Sequence, residues 1–184
     1  MICLAGFMGS GKTTVGTLLA RHLAWRFEDL DGRIEQSTGL AISAIFERRG
    51  EAAFREIERE EIEKTLGRVA ESREPMVLAL GGGTYAQPGM VERLREFGAA
   101  VIWLDCRVEL LLSRCATMSN RPLFRDEASF RELLAARVPF YEQADYRVAG
   151  DDDPARVVAQ ILALPPFTKR FTNAREEVSE TGER

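Results

Sequence analysis

The sequence predicts an α/β protein in which a parallel sheet is covered by helices on both faces. Three observations carry this. Short apolar runs alternate with helical patterns along the chain. The apolar runs are continuous, as in strands buried on both faces. Gly6, Asp29 and Gly81 each stand just past a strand candidate, and in a parallel sheet those points share one edge, where ligands bind.

The elements follow in order. Ile2–Ala5, Met76–Leu80 and Ala99–Leu104 read as buried strands, short, apolar and bounded by Gly or Asp. Arg26–Glu28 and Tyr146–Val148 are shorter candidates, which makes five. Lys12–Leu23, Phe54–Ala70, Met90–Glu96, Val108–Cys115, Phe130–Tyr141 and Ala155–Leu162 read as helices. In the second of these, Phe54, Ile57, Ile62, Leu66 and Val69 form one apolar stripe. Ala116–Asp126 lacks apolar periodicity and reads as a loop of functional length. The expectation is one domain over residues 1–164 and a tail over 165–184 with little order of its own.

Composition narrows the function. The chain has 184 residues, 45% hydrophobic and 29% charged, which excludes wholesale disorder. Its longest apolar runs fall far short of the roughly 18 residues of a membrane span. Met1–Ala5 has no basic region and soon meets Gly6, so no signal peptide is expected. A net charge of −4 and no basic stripe argue against nucleic acid as a partner. Cys3, Cys106 and Cys115 lie far apart, and an odd count suits a reducing cytosol. One histidine, His22, leaves little for a zinc site or a Ser-His-Asp triad.

The strongest motif is Gly6-Phe7-Met8-Gly9-Ser10-Gly11-Lys12-Thr13, which fits G-x-x-x-x-G-K-[ST] between a strand and a helix. Its glycines let backbone N–H groups turn toward a phosphate chain, and the helix N-terminus adds a positive dipole end. Lys12 can bridge the outer phosphates and is expected to be largely exposed without nucleotide. The Thr13 hydroxyl is placed to ligate magnesium. No N-K-x-D guanine-reading motif appears, so ATP is favoured over GTP.

An acidic partner for this loop has two candidates. Asp105 ends the run Val101–Asp105, though it could equally cap the helix at Val108–Cys115. Asp29 and Asp31, two apart, share a side if their segment is extended. Such a pair can divide labour, one toward magnesium and one toward an acceptor hydroxyl. Gly81-Gly82-Gly83 is either a flexible turn or a place where a ligand meets bare backbone. Arg137 lies on the Phe130, Leu133, Leu134, Tyr141 stripe. An arginine facing inward needs an anion, either a structural ion-pair partner or a ligand. Arg55 with Glu58 one turn on reads, taken alone, as a surface pair.

Taken together these motifs resemble the shikimate kinase family. The resemblance spans roughly Met1–Leu164. It rests on Gly6–Thr13, Phe27–Asp31, Ile34-Glu35 with Thr38-Gly39, and Ile45-Phe46 with Gly50-Glu51. Phe54-Arg55 with Glu58, Gly81–Gly83, Arg121-Pro122-Leu123, and Arg137 with Pro139 and Tyr141 complete it. It implies a P-loop kinase fold, like that of nucleoside-monophosphate kinases, with a five-stranded parallel sheet and a lid at about 116–126. The implied reaction is ATP-dependent phosphorylation of the shikimate 3-hydroxyl, in chorismate and aromatic amino-acid biosynthesis. Asp31 would contact the shikimate hydroxyls and serve as base, and Asp29 with Thr13 would hold magnesium. Arg55 and Arg137 would bind the shikimate carboxylate, with the Gly82 N–H helping and Gly81 and Gly83 beside it. Glu58 would orient Arg55, and Phe46 and Phe54 would wall the pocket. Met8, Gly9, Ser10, Gly11, Lys12, Thr13 and Thr14 would surround the phosphates, with Arg121 reaching them from the lid. Arg114 and the Ala149–Pro154 loop, Pro154 included, would flank the adenine. That loop is acidic, Asp151-Asp152-Asp153, where relatives often carry a basic residue. The partners implied are shikimate and ATP, and the expectation is a cytoplasmic monomer.

Overall fold

The computed structural model describes residues 1–116 and 126–165. Arg121, the body of the expected lid and the expected tail past Pro165 lie outside the described residues.

Five strands form one parallel sheet: β1 (Ile2–Ala5), β2 (Arg26–Asp29), β3 (Met76–Ala79), β4 (Ala100–Asp105) and β5 (Tyr146–Ala149). Their order is β2-β3-β1-β4-β5, with Cys3 level with Leu78 on one side and Val101 on the other. All five expected strands are present, with ends within a residue of the sequence reading, the ordinary uncertainty of a boundary.

Side chains leave a strand alternately on its two faces, and both faces here are apolar. Ile2 and Leu4 join Val77, Ile102 and Leu104 in a core closed by α1 (Lys12–Leu23) and α7 (Pro154–Leu162). Cys3 and Ala5 join Leu78, Val101 and Trp103 in the opposite core. That core is closed by α3 (Ile42–Ser72), α4 (Met90–Glu96), α5 (Val108–Ala116) and α6 (Glu127–Tyr141).

Two features depart from the sequence reading. A helix, α2 (Leu30–Thr38), follows β2 where none was expected. Only Leu30 and Ile34 of it are buried, so it carries no apolar stripe to read. What starts it is a cap, the Asp29 carboxylate accepting from the Asp31 N–H at 3.0 Å. The second departure is α3, which begins well before Phe54 and breaks at Gly50. Gly50 sits at φ 78, ψ 174, which no helix contains and which a side chain would strain. The stripe read from the sequence belongs to residues 51–72, where Phe54, Ile62 and Leu66 are buried.

The order of the sheet brings the carboxyl ends of all five strands to one edge, and the segments after them form the site. No helix among the described residues is long and apolar enough to cross a membrane.

Candidate functional site

The loop between β1 and α1 wraps the Lys12 ammonium. Lys12 Nζ donates to Gly6 O at 2.9 Å, Phe7 O at 3.0 Å and Ser10 Oγ at 3.4 Å. The expected exposure of Lys12 is therefore corrected: the residue is half-buried, because the loop's own carbonyls hold its charge.

Thr13 begins α1 and donates from Oγ1 to Asp29 Oδ2 at 2.6 Å. The other oxygen of Asp29 caps α2. One carboxylate thus ties the start of α1 to the end of β2 and the start of α2. The expected extended pairing of Asp29 and Asp31 is replaced by a division across a helix cap. Asp29 ends the strand and turns to the phosphate loop, while Asp31 enters the first turn of α2 and lines a separate cavity.

Asp105 plays neither role considered for it. Its Oδ2 accepts from Arg147 Nη2 at 2.6 Å. The N–H of Arg107, at the start of α5, is taken by Asp151 at 2.9 Å instead. The acidic loop is used up locally in the same way. Asp151 also pairs with the Arg107 side chain, and Asp153 caps α7 through the Ala155 N–H. Asp152 accepts from the Asp153 N–H and faces Arg156 at 3.6 Å.

A cavity of about 400 Å³ opens over the phosphate loop. Gly9, Ser10, Gly11, Lys12, Thr13, Thr14, Arg114 and Pro154 line it, all of them expected on the nucleotide side. Arg114 is fixed there by donating from Nη1 to Gly9 O at 3.1 Å. Met8, expected with them, lines the neighbouring cavity.

That neighbouring, smaller cavity holds Asp31, Phe46, Phe54, Arg55, Glu58, Gly82, Gly83 and Arg137 together. The rings of Phe46 and Phe54 meet at 4.6 Å across the break in α3. Arg137 is 6% exposed, lies over the Phe7 ring at 5.3 Å and donates to Gly82 O at 3.2 Å. Among the described residues no carboxylate forms an ion pair with it, so the structural ion-pair partner considered for it is not found there. Burial pushes its pKa below the ordinary arginine value; Tyr141 opposes this and the charge of Arg55 adds to it.

The pair of Arg55 and Glu58, expected at the surface, is drawn inward, with Glu58 buried and Arg55 half-buried. Glu58 is 0% exposed and meets Arg55 Nη1 at 2.6 Å, while Arg55 Nη2 reaches Glu51 at 3.0 Å. Burial works against the Arg55 charge, but Glu58 and Glu51 outweigh it and raise its pKa. Gly83 lies between the arginines: a Cβ there would stand 2.7 Å from Arg55 Nη2 and 2.9 Å from Arg137 Nη2. A Cβ on Gly81 would meet Glu58 at 2.5 Å and Asp31 at 2.9 Å. The triple glycine is therefore a place of close approach, not merely a flexible turn.

Three residues escaped the sequence reading of the site. Thr84 and Gln87 both donate to Glu58. Tyr141 donates from its hydroxyl to Gly82 O, the carbonyl that also accepts from Arg137. Only Tyr141, on the stripe of Arg137, had any signal, its spacing.

The oxygen pair of Thr13 and Asp29, at the nucleotide cavity, fits magnesium. That ion binds through one or two protein oxygens and fills its other positions with water and phosphate. Among the described residues there is no cluster of three or more His, Cys, Asp or Glu, the cage that a softer or more demanding metal would need.

The family model for shikimate kinase matches residues 8–164. The shikimate kinase of Moorella thermoacetica is 44% identical over 175 residues, covering 93% of this chain and 98% of the relative. The structure of the Acinetobacter baumannii shikimate kinase in complex with shikimate superposes with a TM-score of 0.79 at 40% identity, covering 88% of this chain and 89% of that one. A gluconokinase from Sinorhizobium meliloti, covering 99% of this chain and 97% of that one, shares the fold alone, with a TM-score of 0.58 at 20% identity. The matched residues 8–164 include the residues named in both cavities and four of the five strands, and the chain belongs to the shikimate kinase family.

Proposed function

We propose that the chain transfers the γ-phosphoryl group of ATP to the 3-hydroxyl of shikimate, with the nucleotide over the phosphate loop and shikimate in the smaller cavity. One observation carries the assignment of the smaller cavity. Arg137 is a buried cation with no ion-pair partner among the described residues, and it lines one cavity with Arg55 and Asp31. A bound carboxylate supplies the missing charge, and two guanidiniums grip it through forked donors. Phe46 and Phe54 cover the ring face of the acceptor.

Phosphoryl transfer needs positioning and charge neutralisation more than covalent help. In this reading Lys12 leaves the loop carbonyls for the outer phosphates, and the N–H groups of Gly9–Thr13 cradle the chain behind them. Asp31 accepts a hydrogen bond from the 3-hydroxyl and takes its proton as the oxygen attacks phosphorus. Thr13 and Asp29 are the residues that would hold magnesium, which supplies charge neutralisation at the phosphates. Arg121 is assigned to the phosphates by the family resemblance. Arg114 and Pro154 flank the base. The reading is of a monomer, and of a cytoplasmic one, the compartment that three cysteines standing as thiols suit.

The test is a coupled ADP-release assay with shikimate, gluconate and nucleoside monophosphates as acceptors. Turnover with shikimate alone is expected; equal turnover with gluconate or a nucleotide would assign the smaller cavity elsewhere.

A further inference from the structure

Glu58 is buried beneath the smaller cavity, and its carboxylate is shared. Oε2 accepts from Arg55 Nη1 at 2.6 Å and from Gln87 Nε2 at 2.5 Å, and Oε1 accepts from Thr84 Oγ1. Thr84 and Gln87 are themselves 0% and 6% exposed. A carboxylate left alone with an arginine draws in both terminal nitrogens as a forked pair. Here the Gln87 amide occupies the same oxygen that Arg55 uses. Arg55 gives Glu58 only Nη1; its Nη2, which donates one N–H to the partly exposed Glu51 at 3.0 Å, stands beside Gly83 with a second N–H to give.

The amide is delivered by a fixed turn, since the Gln87 N–H donates to Thr84 O and its carbonyl accepts from the Met90 N–H, both at 3.1 Å. The same turn follows Gly81–Gly83. One residue therefore links the glycine loop to the arginine on α3.

We propose that Gln87 is a positioning residue of the acceptor site: by sharing Glu58 it keeps Nη2 of Arg55 off that carboxylate, so that the N–H which Glu51 leaves over can reach the carboxylate of the acceptor. The inference rests on the reading that Arg55 grips shikimate. The charged and titratable groups facing the cluster are Arg55 and Glu51 on α3, Asp31 on α2, and Arg137 and Tyr141 on α6.

Steady-state kinetics on the full chain test it with three variants. Gln87→Leu keeps the volume and removes the amide. Its shikimate KM is expected to rise about tenfold, the weight of one hydrogen bond to a charged group, with ATP KM and kcat within about twofold. Gln87→Glu sets a second carboxylate against Glu58. Its shikimate KM is expected to fall at least about threefold between about pH 8 and about pH 6, relative to the parent, as the pair takes up one shared proton. A residue that merely supports the fold would produce no such pH-dependent rescue. A shikimate KM within about twofold of the parent in Gln87→Leu overturns the proposal, as does an equal loss in ATP KM and kcat. A flat pH profile in Gln87→Glu overturns it too, and decides alone if Gln87→Leu does not fold. Arg55→Ala separates the layers. If its shikimate KM is unchanged, the acceptor reading itself falls; if it rises while Gln87→Leu is silent, only the role of Gln87 falls.

Discussion

Arg55 and Arg137, from two different helices, direct terminal nitrogens at the same point beside Gly83. Like charges brought together in a cavity repel, and burial strengthens the repulsion. Gly83→Ala would place a methyl group at that point. The fold should survive, because the atoms displaced are the ends of long side chains. Shikimate affinity should fall by about 1.4 kcal/mol or more, at least tenfold, with nucleotide affinity unchanged. Isothermal titration with shikimate, and separately with an ATP analogue, measures both.

Removing Arg137 should weaken shikimate binding by about 2–5 kcal/mol, as when one partner of a buried charge pair is lost. Arg137→Lys should recover little of this, since an ammonium lacks the planar fork. In the absence of ligand the sign reverses. Arg137→Met removes a buried charge that no described carboxylate balances, so the melting midpoint should rise, by about 2–4 °C for each kcal/mol relieved. Shikimate binding retained within twofold in Arg137→Ala would sink the carboxylate grip.

Lys12→Ala should abolish turnover. Lys12 Nζ has three oxygen acceptors within the loop, so some local stability is lost with it. Each such bond is worth about 0.5–1.5 kcal/mol net. A folded protein with a slightly lowered midpoint and no ADP release is expected; near-parental turnover would mean that the loop does not hold phosphates.

Asp31→Asn keeps the shape of the residue and removes its charge. Turnover should fall by about 10²–10⁴-fold if the carboxylate takes the acceptor proton. ATP binding should be unaffected. A weakened ATP complex with normal turnover at saturation would move Asp31 to the metal side.

Asp29→Asn isolates charge from capping, because asparagine caps a helix as well as aspartate. The melting midpoint should hold. The magnesium concentration for half-maximal rate should rise by at least about tenfold, a change typical of altered metal surroundings. Asp29→Ala should show the same shift and lose about 1 kcal/mol of stability with the cap.

The sheet was legible because strands buried on both faces leave uninterrupted apolar runs, and Ile2–Ala5 and Val101–Leu104 are such runs. The phosphate loop was legible because its chemistry fixes both residues and spacing. Elements held by polar contacts were not. Helix α2 buries two side chains and depends on one cap, so its pattern resembles a turn. Arg55 and Glu58 look like an ordinary surface pair one helical turn apart; only the packing of the glycine loop over α3 makes them internal. Arg137 declared itself by its place on an apolar stripe, yet its lack of a described counter-charge is a fact of three dimensions. Thr84 and Gln87 have no sequence signal, since their partner lies 26 and 29 positions away.

The break at Gly50 separates two kinds of recognition. Phe46 and Ile42 stand on the segment before it, and Phe54, Arg55 and Glu58 on the segment after it. Nothing lies within 4 Å of where a Gly50 Cβ would be, so what disfavours a side chain at the bend is its positive φ and not crowding. The lining that α3 gives the smaller cavity is thus carried by two rods joined at one residue. In the proposed reading, changes at 42–49 can reshape the Phe46 side of the wall while Arg55 beyond Gly50 and Arg137 on α6 stay in place. For an engineer, or for evolution, that makes the acceptor's contour adjustable independently of its anionic anchor.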